Sequence, residues 1–309
     1  MGCPQGPPPA MTAIKRSKSI GAAIPLTLRL WSLPLITSLM IFANLFWAGL
    51  NGAHMTMIAA MAIVIFGIPH GTLDAEIAAT YFGRNDIAGK AKIIAAYIGC
   101  ALAMSLFWAV TPEFALTSFL IISIIHFSRD WRGGVDPFLA MMVGWALVAL
   151  PALAHPAEVA AIFKMLTGNP NGAIIAALLA CASAPALLGS LVFAYWAFAN
   201  DDKQSAVEVI ACVVAALFLP PLIAFAIFFC GLHSPRHMAD ALRQTGTLSS
   251  VNKFVIVAAV SALSLGLGVL IYASGNALGF DAGIVRSAFV LISTLTVPHF
   301  ILERLIAKD

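Results

Sequence analysis

Seven histidines punctuate a 309-residue chain that is 61% apolar and only 10% charged, and five of them fall inside or at the edge of apolar runs. An imidazole in hydrocarbon costs free energy unless it is paired, ligated or turned toward a cavity, so each of the five is a candidate for function. His70 follows Pro69 in Phe66-Gly67-Ile68-Pro69-His70-Gly71, where proline and glycine can bend a helix and expose its backbone. His126 closes an Ile-Ile run just before Ser128-Arg129-Asp130, and His299 follows Pro298 within the last apolar run. His233 and His237 are four apart, which on a continuous helix puts both on one face within reach of a common metal. If Ser234 caps a new helix with Pro235 as its first residue, only His237 lies in that helix, and the spacing alone does not choose. His54 and His155 fall in loops and read as surface residues.

Carboxylates follow three of the five at the fourth position: Asp74 after His70, Asp130 after His126 and Glu303 after His299. With 14 acids in the whole chain, chance rarely repeats that spacing three times. Metal-bound imidazoles commonly donate their other ring proton to a carboxylate, so these acids are expected as partners standing behind the ligands. Histidine ligation without cysteine suits iron, zinc or copper, and chemistry in lipid without a hydrolytic substrate favours iron and oxygen. The five cysteines, Cys3, Cys100, Cys181, Cys212 and Cys230, show neither a paired-thiolate spacing nor a disulfide framework and read as small apolar residues. Arg236 and Asp240 stand one turn apart as an ion-pair candidate. Phe127, Trp131, Tyr195, Trp196, Phe228 and Phe229 are close enough in sequence to line an apolar tunnel, although packing and the membrane interface use the same residues.

The elements that carry these residues are helices. Apolar runs lie at about 26–50, 55–82, 91–110, 113–129, 136–154, 172–199, 206–230, 251–274 and 284–306, most of them near the roughly 20 residues that cross a hydrocarbon core. None alternates polar with apolar residues as a membrane barrel requires. The fold class expected is all-α, a polytopic transmembrane bundle of eight or nine spans. Residues 1–25, Pro-rich and then basic at Lys15, Arg16 and Lys18, read as a disordered amino-terminal tail, and residues 26–309 as one transmembrane domain. That tail, then Arg84, Lys90 and Lys92, then Arg129 and Arg132 fall on one side of the first spans, which predicts a cytoplasmic amino terminus in the inner (plasma) membrane. Beyond residue 155 the basic residues alternate sides and the topology stays open. A net charge of +3, held in short clusters, argues against a nucleic-acid partner.

Taken together, Gly67-Ile68-Pro69-His70-Gly71 through Asp74, His126-Phe127, Leu232-His233-Ser234-Pro235-Arg236-His237, and Pro298-His299 with Leu302 resemble the Brp/Blh family of membrane beta-carotene 15,15'-dioxygenases. The likeness runs from about residue 30 to the carboxyl end in the family's motif order. It implies cleavage of the central double bond of beta-carotene by O2 to give two retinal molecules, and a functional link to a microbial rhodopsin. It also implies a non-haem Fe(2+) held by His70, His126, His233 and His237. His299 matches the late Pro-His motif and is placed behind the ligands or along a substrate tunnel. Two departures stand out: Ser128 where the family commonly has glycine, and the basic tail before residue 26.

Rival readings use the same histidines differently. A haem carrier needs pairs across two helices, a di-iron enzyme needs roughly eight histidines or more in repeated boxes, and a proton-coupled transporter needs His and Asp as relays.

Overall fold

A computed structural model describes residues 26–46, 52–131, 135–274 and 279–306. The expected tail of residues 1–25, the basic residue Arg132 and the end of the first apolar run lie outside the described residues. Fourteen α-helices and no strand are found among those described: α1 (Leu26–Phe46), α2 (Ala53–His70), α3 (Asp74–Tyr81), α4 (Ile87–Val110), α5 (Pro112–Phe127), α6 (Pro137–Ala154), α7 (Pro156–Thr167), α8 (Asn171–Cys181), α9 (Ser183–Ala199), α10 (Lys203–Phe218), α11 (Pro221–Phe228), α12 (Ser234–Gln244), α13 (Ser250–Ser274) and α14 (Phe280–Ile306). A 3-10 turn (Ser128–Trp131) follows α5, and a π-helical turn (Phe229–His233) joins α11 to α12.

The helix boundaries follow from local chemistry. Proline occupies the first turn of α5, α6, α7, α11 and α12, where its missing N–H costs nothing. Asp86, Asp136 and Asp202 accept backbone N–H bonds at the starts of α4, α6 and α10. The same signals divide apolar runs that read as single spans. The 206–230 run breaks at Pro220-Pro221 between α10 and α11, and the 172–199 run bends by 42° at Ala182 between α8 and α9.

Among the described residues, five helical stretches are long and apolar enough to cross a bilayer: His54–Tyr81, Ile87–Val110, Pro137–Ala154, Ser250–Ser274 and Phe280–Ile306. Counting the bent α8–α9 pair as one span makes six, fewer than the eight or nine expected. Two of the expected runs, 113–129 and 206–230, yield helices of at most 16 residues, about 24 Å at 1.5 Å per residue, and the first run, 26–50, ends outside the described residues. The 155–171 stretch holds α7, whose Val159, Phe163 and Leu166 repeat at four and three residues and are buried. His54 lies in the first turn of α2 rather than in a loop, whereas His155 does separate α6 from α7.

Burial is inside out relative to a water-soluble protein. Leu263 is 74% and Val269 66% exposed on α13, a surface only lipid would solvate well, while Ser293, Thr294, Ser190 and Ser183 are fully buried. Small and hydroxylated residues let helices approach and bond across. Trp108 Nε1 donates to Ser293 Oγ at 2.5 Å, tying α4 to α14, and Ser190 donates to the Met142 carbonyl, tying α9 to α6. The α5–α6 contact is among the closest: a Cβ on Gly144 would collide with the Ile124 carbonyl and approach Ser128 N to 2.8 Å. That crossing fixes the last turn of α5, which carries His126.

Gly144→Val is therefore expected to cost about 3 kcal/mol through forced separation of α5 and α6. Thermal unfolding of the detergent-solubilised variant should show a clearly lowered midpoint, and an unchanged midpoint would contradict this close approach.

Candidate metal centre

Five elements, drawn from four distant parts of the sequence, each deliver one imidazole to the same place. His70 ends α2 at the turn that Pro69 and Gly71 create, His126 lies in the last turn of α5, His233 closes the π turn, His237 opens α12 and His299 follows Pro298 inside α14. Ring centroids are 4.3 Å apart for His233–His237, 4.8 Å for His126–His233, 5.0 Å for His70–His299, 5.2 Å for His126–His299 and 5.5 Å for His70–His233. One donor atom from each residue falls within 4.8 Å of the others in three overlapping groups: His70, His126 and His299; His126, His233 and His237; and His237, His299 and Glu303. His126, His233 and His299 are buried, and His70 and His237 half-buried.

The question left open by Ser234-Pro235 is answered by the π turn. Backbone angles stay helical through His233 and Ser234, so α11, the π turn and α12 follow one another without a loop. The wider turn absorbs the N–H that Pro235 lacks and leaves both imidazoles on one side. Ser234 reaches across and its hydroxyl donates to the Phe66 carbonyl, fastening this segment to α2 beside His70.

Carboxylates stand behind the imidazoles, but the pairing differs from the expected one. Asp74 receives the Nδ1–H of His299 at 2.7 Å rather than bonding His70, and Asp130 receives that of His233 at 2.8 Å rather than serving His126. Glu303 lies 3.0 Å from His126 Nδ1, 3.2 Å from His237 Nδ1 and 3.6 Å from His299 Nε2. The one-turn spacing fails because the helices do not continue: residues 71–73 turn between His70 and Asp74, and the 3-10 turn begins at Ser128 between His126 and Asp130. Only in unbroken α14 do His299 and Glu303 meet one turn apart. Exchange across the bundle is what ties α3, the 3-10 turn and α14 to one cluster.

Several ring nitrogens then face inward with nothing to bond. Nδ1 of His70 and Nε2 of His233 and His299 are buried and lack hydrogen-bond partners. An orphaned buried polar atom costs about 1–3 kcal/mol, so three at one point need a common explanation. Because a carboxylate can only accept, His233 and His299 hold their protons on Nδ1 and turn Nε2 lone pairs toward the centre. This is the donor chemistry of a histidine-bound transition metal, and the three carboxylates offset the charge of a buried cation. The donors fit a metal, and His299, placed behind the ligands by sequence, turns a nitrogen inward as His233 does.

Around this centre, Phe127, Phe228, Phe229 and Trp131 are buried. Phe229 stacks on His233 with centroids 5.3 Å apart, and Phe127 lies 5.0 Å from the same ring. Tyr195 is on the outer surface and takes no part. Arg236 binds both oxygens of Glu208 at 2.7 Å instead of pairing with Asp240, which contacts Arg243. Sequence reasoning missed Tyr97, whose hydroxyl donates to Asp74 at 3.1 Å and steadies the His299 partner. Its signal was a phenol near the middle of an otherwise apolar span.

The beta-carotene 15,15'-dioxygenase family model matches residues 61–307. A protein of the uncultured marine bacterium 66A03 named beta-carotene 15,15'-dioxygenase is 32% identical over 256 residues, covering 79% of this chain and 91% of that protein. No solved structure matches the chain.

Removing a carboxylate from behind its histidine should loosen the metal without removing a ligand. Asp130→Asn and Asp74→Asn are each expected to weaken metal binding about 10–100-fold, read by chelator competition against the purified protein. Tyr97→Phe should weaken it only a few-fold, and wild-type affinity in both Asp variants would show that the carboxylates merely pack.

Proposed function

This chain belongs to the beta-carotene 15,15'-dioxygenase family and is a carotenoid-cleaving dioxygenase, and from that premise we propose its substrate, its metal and its setting. The substrates are beta-carotene and O2. The central 15,15' double bond is split and each new end takes one oxygen atom, giving two molecules of all-trans retinal. The cofactor is a non-haem Fe(2+) within the membrane, held by His70, His126, His233 and His237. The observation that supports this reading best is the meeting of imidazoles from five elements at one place, with buried, unpartnered ring nitrogens on His70, His233 and His299.

When bound, the iron supplies the redox chemistry that lets ground-state oxygen react with a hydrocarbon double bond. The chain supplies the rest. Asp130 and Asp74 hold the Nδ1 protons of His233 and His299, so neither ring can turn its lone pair away. Glu303 stands among His126, His237 and His299 and balances charge. The phenyl wall of Phe127, Phe228 and Phe229 excludes water behind His233. No general base is needed for such a cleavage, in keeping with carboxylates that are all engaged with histidines. A C40 hydrocarbon dissolves in the bilayer core, and apolar outer helices let it enter sideways without crossing water.

The chain from residue 26 onward acts as one membrane domain in the inner membrane, amino terminus cytoplasmic, supplying retinal to a retinal-binding partner such as a microbial rhodopsin. A haem or di-iron redox protein and a proton-coupled transporter draw no support from the family match.

Expression in a bacterium that accumulates beta-carotene should bleach the cells and produce retinal, measured by chromatography. Single alanine replacements of His70, His126, His233 or His237 should each cut retinal formation by more than about 100-fold, while His155→Ala should leave it unchanged. Carotene persisting in cells that hold folded, iron-loaded wild-type protein would overturn the reading.

A further inference from the structure

A carotenoid offers many chemically similar double bonds, so cutting one of them requires that the chain be stopped at a fixed place. Two cavities lie along the seam between α2 and α14. The nearer reaches His70 and His299. The farther and larger of the two lies among Ile63, Phe119, Phe163, Phe225 and Ala288, with Ser123 as the only polar side chain among its lining residues. Ile292 lines both, so its side chain stands between the two volumes.

The seam has a regular construction. On α2, Ala60, Ile63, Gly67 and His70 recur at three and four residues, and on α14 so do Ala288, Ile292, Leu295 and His299; in each set the first members line the far cavity and the last line the near one. Between the two cavities Phe229 and Ile292 pack directly against Gly67, where a Cβ would stand 2.8 Å from Phe229 Cε1 and 3.1 Å from Ile292 Cδ1.

Resting on the dioxygenase reading above, we propose that the far cavity seats one apolar end ring of the carotenoid and that its distance from the histidine cluster selects the central double bond. At 1.5 Å per residue, the rise from Ala60 to His70 is about 15 Å and from Ala288 to His299 about 16 Å. An extended chain advances about 3.3–3.6 Å per three bonds, so the polyene from its central carbon to the ring covers roughly 11 Å, and the ring adds roughly 4 Å. Half of the substrate thus matches the seam, and the other half leaves through the near cavity, past Val260 and Ser264 of α13, toward lipid. The occupant is an unsubstituted hydrocarbon ring, because a ring hydroxyl would give up water in a cavity that offers Ser123 alone in exchange.

Shortening the cavity should then move the cut. Iron-loaded Ala288→Phe and Val159→Phe, which fill the far end from two different helices, are expected to hold the ring nearer the metal. They should yield two unequal aldehydes whose carbons sum to those of beta-carotene, or show KM for beta-carotene raised at least tenfold. Ala288→Val should give a milder form of the same change. In the wild-type holoenzyme, beta-ionone, a probe for the free ring, should compete with beta-carotene. Retinal as the sole product at wild-type KM from iron-loaded filled variants, as expected if the cavity holds a lipid chain or is only a packing void, overturns the proposal, and so does absence of competition by beta-ionone. A wild-type protein that forms no retinal would instead refute the dioxygenase reading itself.

Discussion

Five imidazoles crowded at one point in a chain dressed for lipid are the constraint on which the rest of the structure depends. Each ring nitrogen left unpaired in such a place forfeits its hydrogen bond to water, at about 1–3 kcal/mol apiece. A bundle with few charges to spend has placed three such nitrogens face to face, and their common remedy is a cation that all of them can bind. The bends in the helices, the π turn and the crossed carboxylates follow from the need to bring these rings together.

The crossed pairing has a structural consequence. Asp74 follows α2 in the chain yet holds a histidine of α14, and Asp130 follows α5 yet holds a histidine that precedes α12. Each hydrogen bond therefore joins elements more than a hundred residues apart, and the polar centre doubles as the clamp at that end of the bundle. In lipid, where apolar side chains gain little by leaving the solvent, such interhelical bonds and close contacts like Gly144 against α5 carry much of the association. Chemistry and stability share the same few residues.

How much of this was legible in the sequence varies with range. The helical class was, and so were the starts at Pro112 and Pro137, because proline acts locally, whereas the helix that begins at Pro156 and the break at Pro221 were not read from the apolar runs. The histidines were legible as a set because hydrocarbon makes each one conspicuous. Their partners were not, since a spacing of four identifies a neighbour only while the helix continues, and turns intervene after both His70 and His126. Short runs were also misleading: apolarity marks 113–129 and 206–230 as membrane material without fixing whether they cross it. Tyr97 and the α2–α14 seam depend on packing between distant elements, which periodicity on one helix cannot reveal.

X-ray absorption at the iron edge of the purified protein tests the central claim most directly. The account predicts one non-haem iron per chain in a shell of nitrogen and oxygen donors, with the outer-shell scattering of several imidazoles. Sulfur in that shell, a porphyrin pattern, or a protein that is folded and active with no iron would contradict it.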